Sequence, residues 1–242
     1  MKKWTLLLLM VPIIFLLSGC THLSKTKVIT NSGFSNEVNA NTHKKKIYYR
    51  VNNEEIKSVN AHDHGISIEI PRSTSKRHIT ISASPNLTQS VHVTIPASKP
   101  IVSWKQFCSD YNDFQELDPN TNSSNYKIPK KYQSITNGIG KIKFPGYYIK
   151  YNISNSKLVA FRLAAYTADG YEDLGYYAMK EYKASLESAV AALGNGEDSS
   201  LDDVSSMVKN KYMYTNSHKG KFSGCHYRLF QFTGNIWFDV WK

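Results

Sequence analysis

The chain is poor in cysteine, acids and long apolar runs. Three cysteines in 242 residues exclude a disulfide-dense scaffold and a four-cysteine zinc site. The longest apolar run, Leu6 to Leu17, is twelve residues and contains Pro12. A bilayer-crossing helix needs about 20, so no segment reads as a membrane span. No Gly-rich phosphate loop, Gly-x-Ser-x-Gly elbow or His-Glu-x-x-His helix is present, which removes the usual anchors of nucleotide, serine-hydrolase and zinc-protease chemistry. No cofactor is implied. Acids number 19 against 30 Lys and Arg, for a net charge of +11. That excess favours anionic surroundings.

The first positive signal is at the N-terminus. Lys2 and Lys3 precede the apolar run, which closes on Leu17-Ser18-Gly19-Cys20. A basic start, an apolar middle and small residues before a cut read as a secretory signal. The four closing residues resemble the lipobox of bacterial lipoproteins. The resemblance implies cleavage after Gly19, a diacylglycerol thioether on Cys20, and a protein of the extracytoplasmic face of the cell membrane held by lipid, palmitate being the usual chain. Two acyl chains hold far better than one. Export argues against nucleic acid as the partner of the basic chain, and no helix carries clustered Arg.

Residues 20–44 read as the lipidated cysteine and a flexible tether, rich in Ser, Thr and Asn. A coil of that length spans roughly 25 Å. Residues 45–98 read as short strands, at Ile47–Val51, Glu55–Val59, Ile66–Ile70, His78–Ser82 and Val91–Ile95, with Pro71, Pro85 and Pro96 at ends. Alternation is cleanest in Ile66-Ser67-Ile68-Glu69-Ile70. Five short strands predict a small β-sandwich, immunoglobulin-like in the loose sense.

Residues 101–242 mix helices and strands, giving an α+β class overall. Ser103 with Gln106 predicts a capping box. Trp104, Phe107, Cys108 and Tyr111 then share one helix face. A short helix over Pro129–Thr136 and strands Tyr147–Ile153 and Leu158–Tyr166 follow. Met179–Leu193 predicts a helix with Tyr182, Leu186, Val190 and Leu193 on one stripe, and Leu201–Asn210 another, capped by Ser200. Phe222–Phe232 and Ile236–Trp241 predict a closing hairpin. Lys143-Phe144-Pro145-Gly146 matches Lys221-Phe222-Ser223-Gly224, with Lys150 and Arg228 four residues after each glycine. The expectation is a tandem helix–helix–hairpin duplication, repeats 101–170 and 175–242, on an antiparallel sheet.

With the lipobox, Ser90-Val91-His92-Val93-Thr94-Ile95-Pro96 and the segment Trp104 to Tyr111, the layout resembles a group of uncharacterised surface lipoproteins of Gram-positive bacteria. That group supplies no catalytic residues. The tandem plan is also similar to β-lactamase-inhibitor-like folds, which bind protein partners across a concave sheet.

Several residue groups invite chemistry. Cys225 and His226 are neighbours, but consecutive strand residues point to opposite faces, so they make no thiol–imidazole dyad. Cys108 and Cys225 both fall on apolar faces. They can pair, closing a loop worth about 4 to 5 kcal/mol, or remain inert buried thiols. His62-Asp63-His64 has no fourth ligand nearby and reads as a polar turn rather than a metal site. Strand alternation instead points outward with Tyr148, Lys150, Arg162, Tyr166, His226, Arg228, Trp237 and Trp241. An aromatic and cationic face suits stacking on sugars or clamping anions. The expected function is a non-enzymatic module binding an anionic wall polymer, glycan or protein. The alternatives are an envelope hydrolase using acids such as Asp169, Glu172 or Asp239, and an exclusion factor that docks an incoming protein.

Overall fold

The fold is that of a computed structural model, which describes residues 23–29, 33–117, 125–166, 176–194, 216–232 and 235–242. The lipobox with Cys20, the expected helix over 201–210, and Asp169 and Glu172 lie outside the described residues. Among those described, strands predominate over helices. The α+β expectation therefore becomes a mostly β chain with some helix.

The described residues divide into two compact units. The first takes residues 23–29, 37–69 and 77–95. β1 (Leu23–Ile29), β2 (Ser35–Thr42) and β5 (Gly65–Pro71) form one sheet in the order β1-β2-β5. β3 (Lys46–Val51), β4 (Lys57–Asn60), β6 (Arg77–Ser82) and β7 (Val91–Ile95) form another, ordered β4-β3-β6-β7 and antiparallel. Each sheet has one apolar face: Val38, Ala40, Ile66 and Ile68 are buried in the first, Ile47, Ile79, Ile81 and Ile95 in the second. Strands β1 and β2 overturn the tether expected over 20–44. β2 hides in the sequence because its buried positions are Asn36, Val38, Ala40 and Thr42, only two of them apolar. The turn His62–Gly65 closes with Asp63 and His64 at φ 50° and 62°, as a hairpin turn needs.

The second unit comprises residues 33–36, 70–76 and the described residues from 96 onward. The ends of β2 and β5 belong to it, so the expected boundary at 45–98 does not hold. Its sheet runs β12-β13-β14-β11-β10-β9, with β8 (Val102–Ser103) on β11. The strands are β9 (Gly138–Phe144), β10 (Tyr147–Ser154), β11 (Lys157–Tyr166), β12 (Asn216–Phe222), β13 (Cys225–Phe232) and β14 (Asn235–Trp241). All neighbours are antiparallel. Where hairpins were expected, each is a three-stranded meander, extended outward by β9 and β12. One extra residue, Val159, bulges β11 where register shifts past Asn152.

Two helices cover one face of this sheet. α1 (Trp104–Leu117) starts where Ser103 Oγ accepts the Gln106 N–H at 3.1 Å. The Gln106 side chain reaches Asp110 instead of closing the box. Trp104, Phe107, Cys108 and Tyr111 are fully buried. α2 is one turn, Lys130–Gln133, shorter than expected; its Tyr132 carbonyl accepts the Trp104 indole N–H. α3 (Tyr176–Gly194) buries Tyr182, Leu186, Val190 and Leu193. They meet Tyr147, Ile149, Phe161, Leu163, Leu229 and Phe238 in one core. No described helix is long and apolar enough to cross a membrane.

Candidate functional site

The helices occupy one face of the seven-stranded sheet, and the charged side chains stand on the other. Alternation fixes which is which. In β10, Tyr147, Ile149, Tyr151 and Ile153 join the core, so Tyr148, Lys150 and Asn152 take the outer side. By the same register Arg162, Trp237, Asp239, Trp241, His226, Arg228 and Phe230 are outer residues.

Pairing aligns them. Lys219 opposes Arg228, Arg228 opposes Asp239, Asp239 opposes Arg162, Arg162 opposes Lys150, and Lys150 opposes Lys141. One straight row thus crosses six strands with five cations and one carboxylate. Asp239 is fully buried at its centre. It accepts Arg162 Nε at 2.5 Å and Nη2 at 2.8 Å, and Arg228 Nη2 at 3.3 Å. A charge so buried persists only when paired and hydrogen-bonded.

A second row lies beside it: Phe230, Trp237, Ala164, Tyr148 and Lys143. Phe230 and Trp237 stack at 4.8 Å. The Lys141 ammonium sits 3.6 Å from the Tyr148 ring centre, and the Arg162 guanidinium 5.8 Å from that of Trp237. These contacts hold cations against π faces.

A third row is Asn152, Ala160, Trp241 and His226. Trp241 is buried, which corrects its expected exposure. His226 stacks on its ring at 5.8 Å, and the Arg72 guanidinium lies 5.9 Å from it. Arg72 also donates to the Gly33 carbonyl at 2.8 Å. Burial lowers the Arg72 pKa to about 10. Phe34 is buried with Lys150 at 4.7 Å and Arg162 at 5.8 Å from its ring centre. Segments 33–34 and 72–74 therefore cover part of the outer face, and Thr74 and Ser73 bond Ser154 Oγ there.

Of the eight residues singled out in the sequence, Tyr148, Lys150, Arg162, Arg228 and Trp237 gather on this face half-exposed, and His226 is exposed. The side chain of Tyr166 lies outside the described residues. Sequence reasoning missed Phe34, Arg72, Phe230 and the pairing role of Asp239. One signal for the last was present: a single acid inside Ile236-Trp237-Phe238-Asp239-Val240-Trp241.

Cys108 and Cys225 are both buried thiols, unbridged. Burial pushes the Cys108 pKa up to about 12 and raises that of Cys225. Neither is a nucleophile at neutral pH. Among the described residues, no three His, Cys, Asp or Glu side chains gather as a metal site. Comparisons with protein-family models, curated proteins and solved structures find no match to this chain.

Proposed function

We propose that this chain is a membrane-tethered extracytoplasmic lipoprotein, anchored through Cys20, whose second unit is a non-enzymatic binding module for an anionic cell-wall polymer. The observation that carries the reading is the row Lys219–Arg228–Asp239–Arg162–Lys150–Lys141. Like charges directly opposite on neighbouring strands destabilise a sheet. Edge lysines guard a sheet against aggregation, which accounts for Lys141 and Lys219. It does not account for Lys150, Arg162 and Arg228 on interior strands, where one carboxylate, Asp239, stands among three cations. A polyanion laid across the strands would relieve that repulsion.

The hydrolase reading is weaker, because the oxygens of Asp239 are taken up by arginine N–H groups. A protein partner with an acidic surface would satisfy the same row and is the second reading. In this account the first unit is an immunoglobulin-like β-sandwich acting as a spacer. The second is a tandem duplication. Its support is the mirrored strand order, with Lys141 and Lys150 placed as Lys219 and Arg228 are, and the positive φ of Gly146 and Gly224 at matching turns.

Two experiments test the reading. Labelled palmitate should enter the protein in cells and fail to enter Cys20→Ser. The variant Tyr148→Ala/Lys150→Ala/Trp237→Ala should lose at least tenfold in binding to purified wall polymer at a temperature where its circular dichroism shows it still folded. Unaltered polymer binding would remove this face from the account.

A further inference from the structure

Three N–H donors on the outer face are buried without an acceptor among the described residues: Asn152 Nδ2, Trp241 Nε1 and Arg228 Nε. Asn152 is 2% exposed and Trp241 7%. Asn152 and Trp241 share one row, and Arg228 stands in the next row, three strands from Asn152. Asn152 and Trp241 oppose Ala160 from its two sides, His226 opposes Trp241, and Arg228 stands two residues beyond His226 on β13. A buried donor left unsatisfied bears the cost of losing water with no bond in return, and folded proteins keep few of them. Three in two adjoining rows of one sheet face point to an acceptor beyond the described residues.

Charge narrows its chemistry. Arg162 and Arg228 both bond the carboxylate of Asp239, in a row of five cations and one acid whose charge is in positive excess. The buried guanidinium of Arg72 lies over the Trp241 ring. Water would satisfy the donors but leave the excess. A phosphate group brings negative charge and several acceptor oxygens in a tetrahedral spread, suited to guanidinium, indole and amide donors arriving from different strands. Half-exposed Arg228 and exposed His226 give it an approach.

We propose that the outer face around Trp241 binds a phosphate group, with Trp241 Nε1 and Asn152 Nδ2 as donors on either side of Ala160 and with Arg228 and Arg72 adding positive field. This deepens the anionic-polymer reading and rests on it, by naming the group recognised.

The test uses the full chain labelled with 15N at tryptophan, with the Trp241 indole resonance assigned from Trp241→Phe. Inorganic phosphate and a polymer of glycerol-phosphate diesters are titrated separately, with chloride at equal ionic strength as control. The expected result is a saturable shift of the Trp241 indole proton, weakened at least tenfold by Asn152→Leu and by Arg228→Gln. A response to phosphate alone identifies a free anion as the ligand, and a response to both identifies a group carried on a polymer. A Trp241 resonance that stays still, or moves equally with chloride, overturns the site. If it stays still while wall polymer binds, this site is wrong and the broader reading survives. If it responds while wall polymer does not bind, the reverse holds.

Discussion

Arg162 and Asp239 stand directly opposite each other on β11 and β14, joined by two parallel N–H···O bonds of 2.5 and 2.8 Å. The carboxylate is fully buried, and a second arginine, Arg228, reaches it from β13. This fork-to-fork pair is the centre of the charged row, and most of what can be tested about the outer face turns on it.

Removing the carboxylate should be costly. Asp239→Asn removes the carboxylate that both arginines bond, and a broken buried pair costs about 3 to 5 kcal/mol. The side chains of Arg162 and Arg228 keep 24% and 32% exposure, so water offsets part of this and about 3 kcal/mol is expected. The triple variant Arg162→Met/Arg228→Met/Asp239→Leu should recover most of the loss. Urea midpoints of the three proteins check both statements.

Gly33→Ala should destabilise more than Gly138→Ala. Both glycines have positive φ, 83° and 121°. A Cβ on Gly33 would lie 2.9 Å from Asp239 Oδ2, whereas one on Gly138 meets nothing within 4 Å. Backbone strain alone costs about 1 kcal/mol. The Gly33 variant should lose about 2 kcal/mol or more in thermal unfolding, and equal losses would mean that the 33–34 segment does not rest on Asp239.

On the helix-covered face, Gly140 and Gly220 lie beneath the rings of Tyr151 and Tyr227. A Cβ at either would come within 2.1 Å and 2.6 Å of ring or hydroxyl atoms. Gly140→Ala should cost about 1 to 3 kcal/mol, and Gly140→Ala/Tyr151→Leu should cost less than the sum of its single changes. A double-mutant cycle measures that coupling.

The two thiols should be silent until the protein unfolds. Native protein should resist iodoacetamide at pH 8, and its electrophoretic mobility should not depend on reductant. The Cys108 thiol has a folded pKa of about 12 against an ordinary 9.0, and buried Tyr111 about 12 against 10.0. Folded values above unfolded ones mean that stability is whole below pH 9. It then falls as pH climbs toward 12, since only the unfolded chain releases these protons readily. Cys108→Ala should flatten that decline, read from urea midpoints at pH 8, 9.5 and 11.

What could be read directly from the residues was local pattern. The alternating runs Ile66–Ile70 and Val91–Ile95 are strands in place, and the stripe Trp104-Phe107-Cys108-Tyr111 is buried as its spacing requires. Strands β9 and β12 escaped because Gly138, Gly140 and Gly220 interrupt them; the tyrosines that fill over Gly140 and Gly220 come from neighbouring strands. Outward residues of β10, β13 and β14 followed from alternation. Which of them would be exposed did not, because Arg72 lies on Trp241, and Phe34 beside Lys150 and Arg162. Those covers arrive from segments more than a hundred residues earlier for Phe34 and from residue 72 for Arg72. Cross-strand alignment of the charges likewise depends on strand order, which no local pattern carries.

The most direct measurement is the affinity for purified anionic wall polymer across a salt series, comparing the full chain with Lys143→Glu/Lys219→Glu/Lys221→Glu. These lysines are exposed, so the fold should survive. Exposed charges are screened within about 10 Å at 0.1 M salt and far less at 0.01 M. The account predicts binding that weakens steeply as salt rises, and a charge-reversed variant at least tenfold weaker at low salt. Affinity indifferent to salt and to the three substitutions would contradict it.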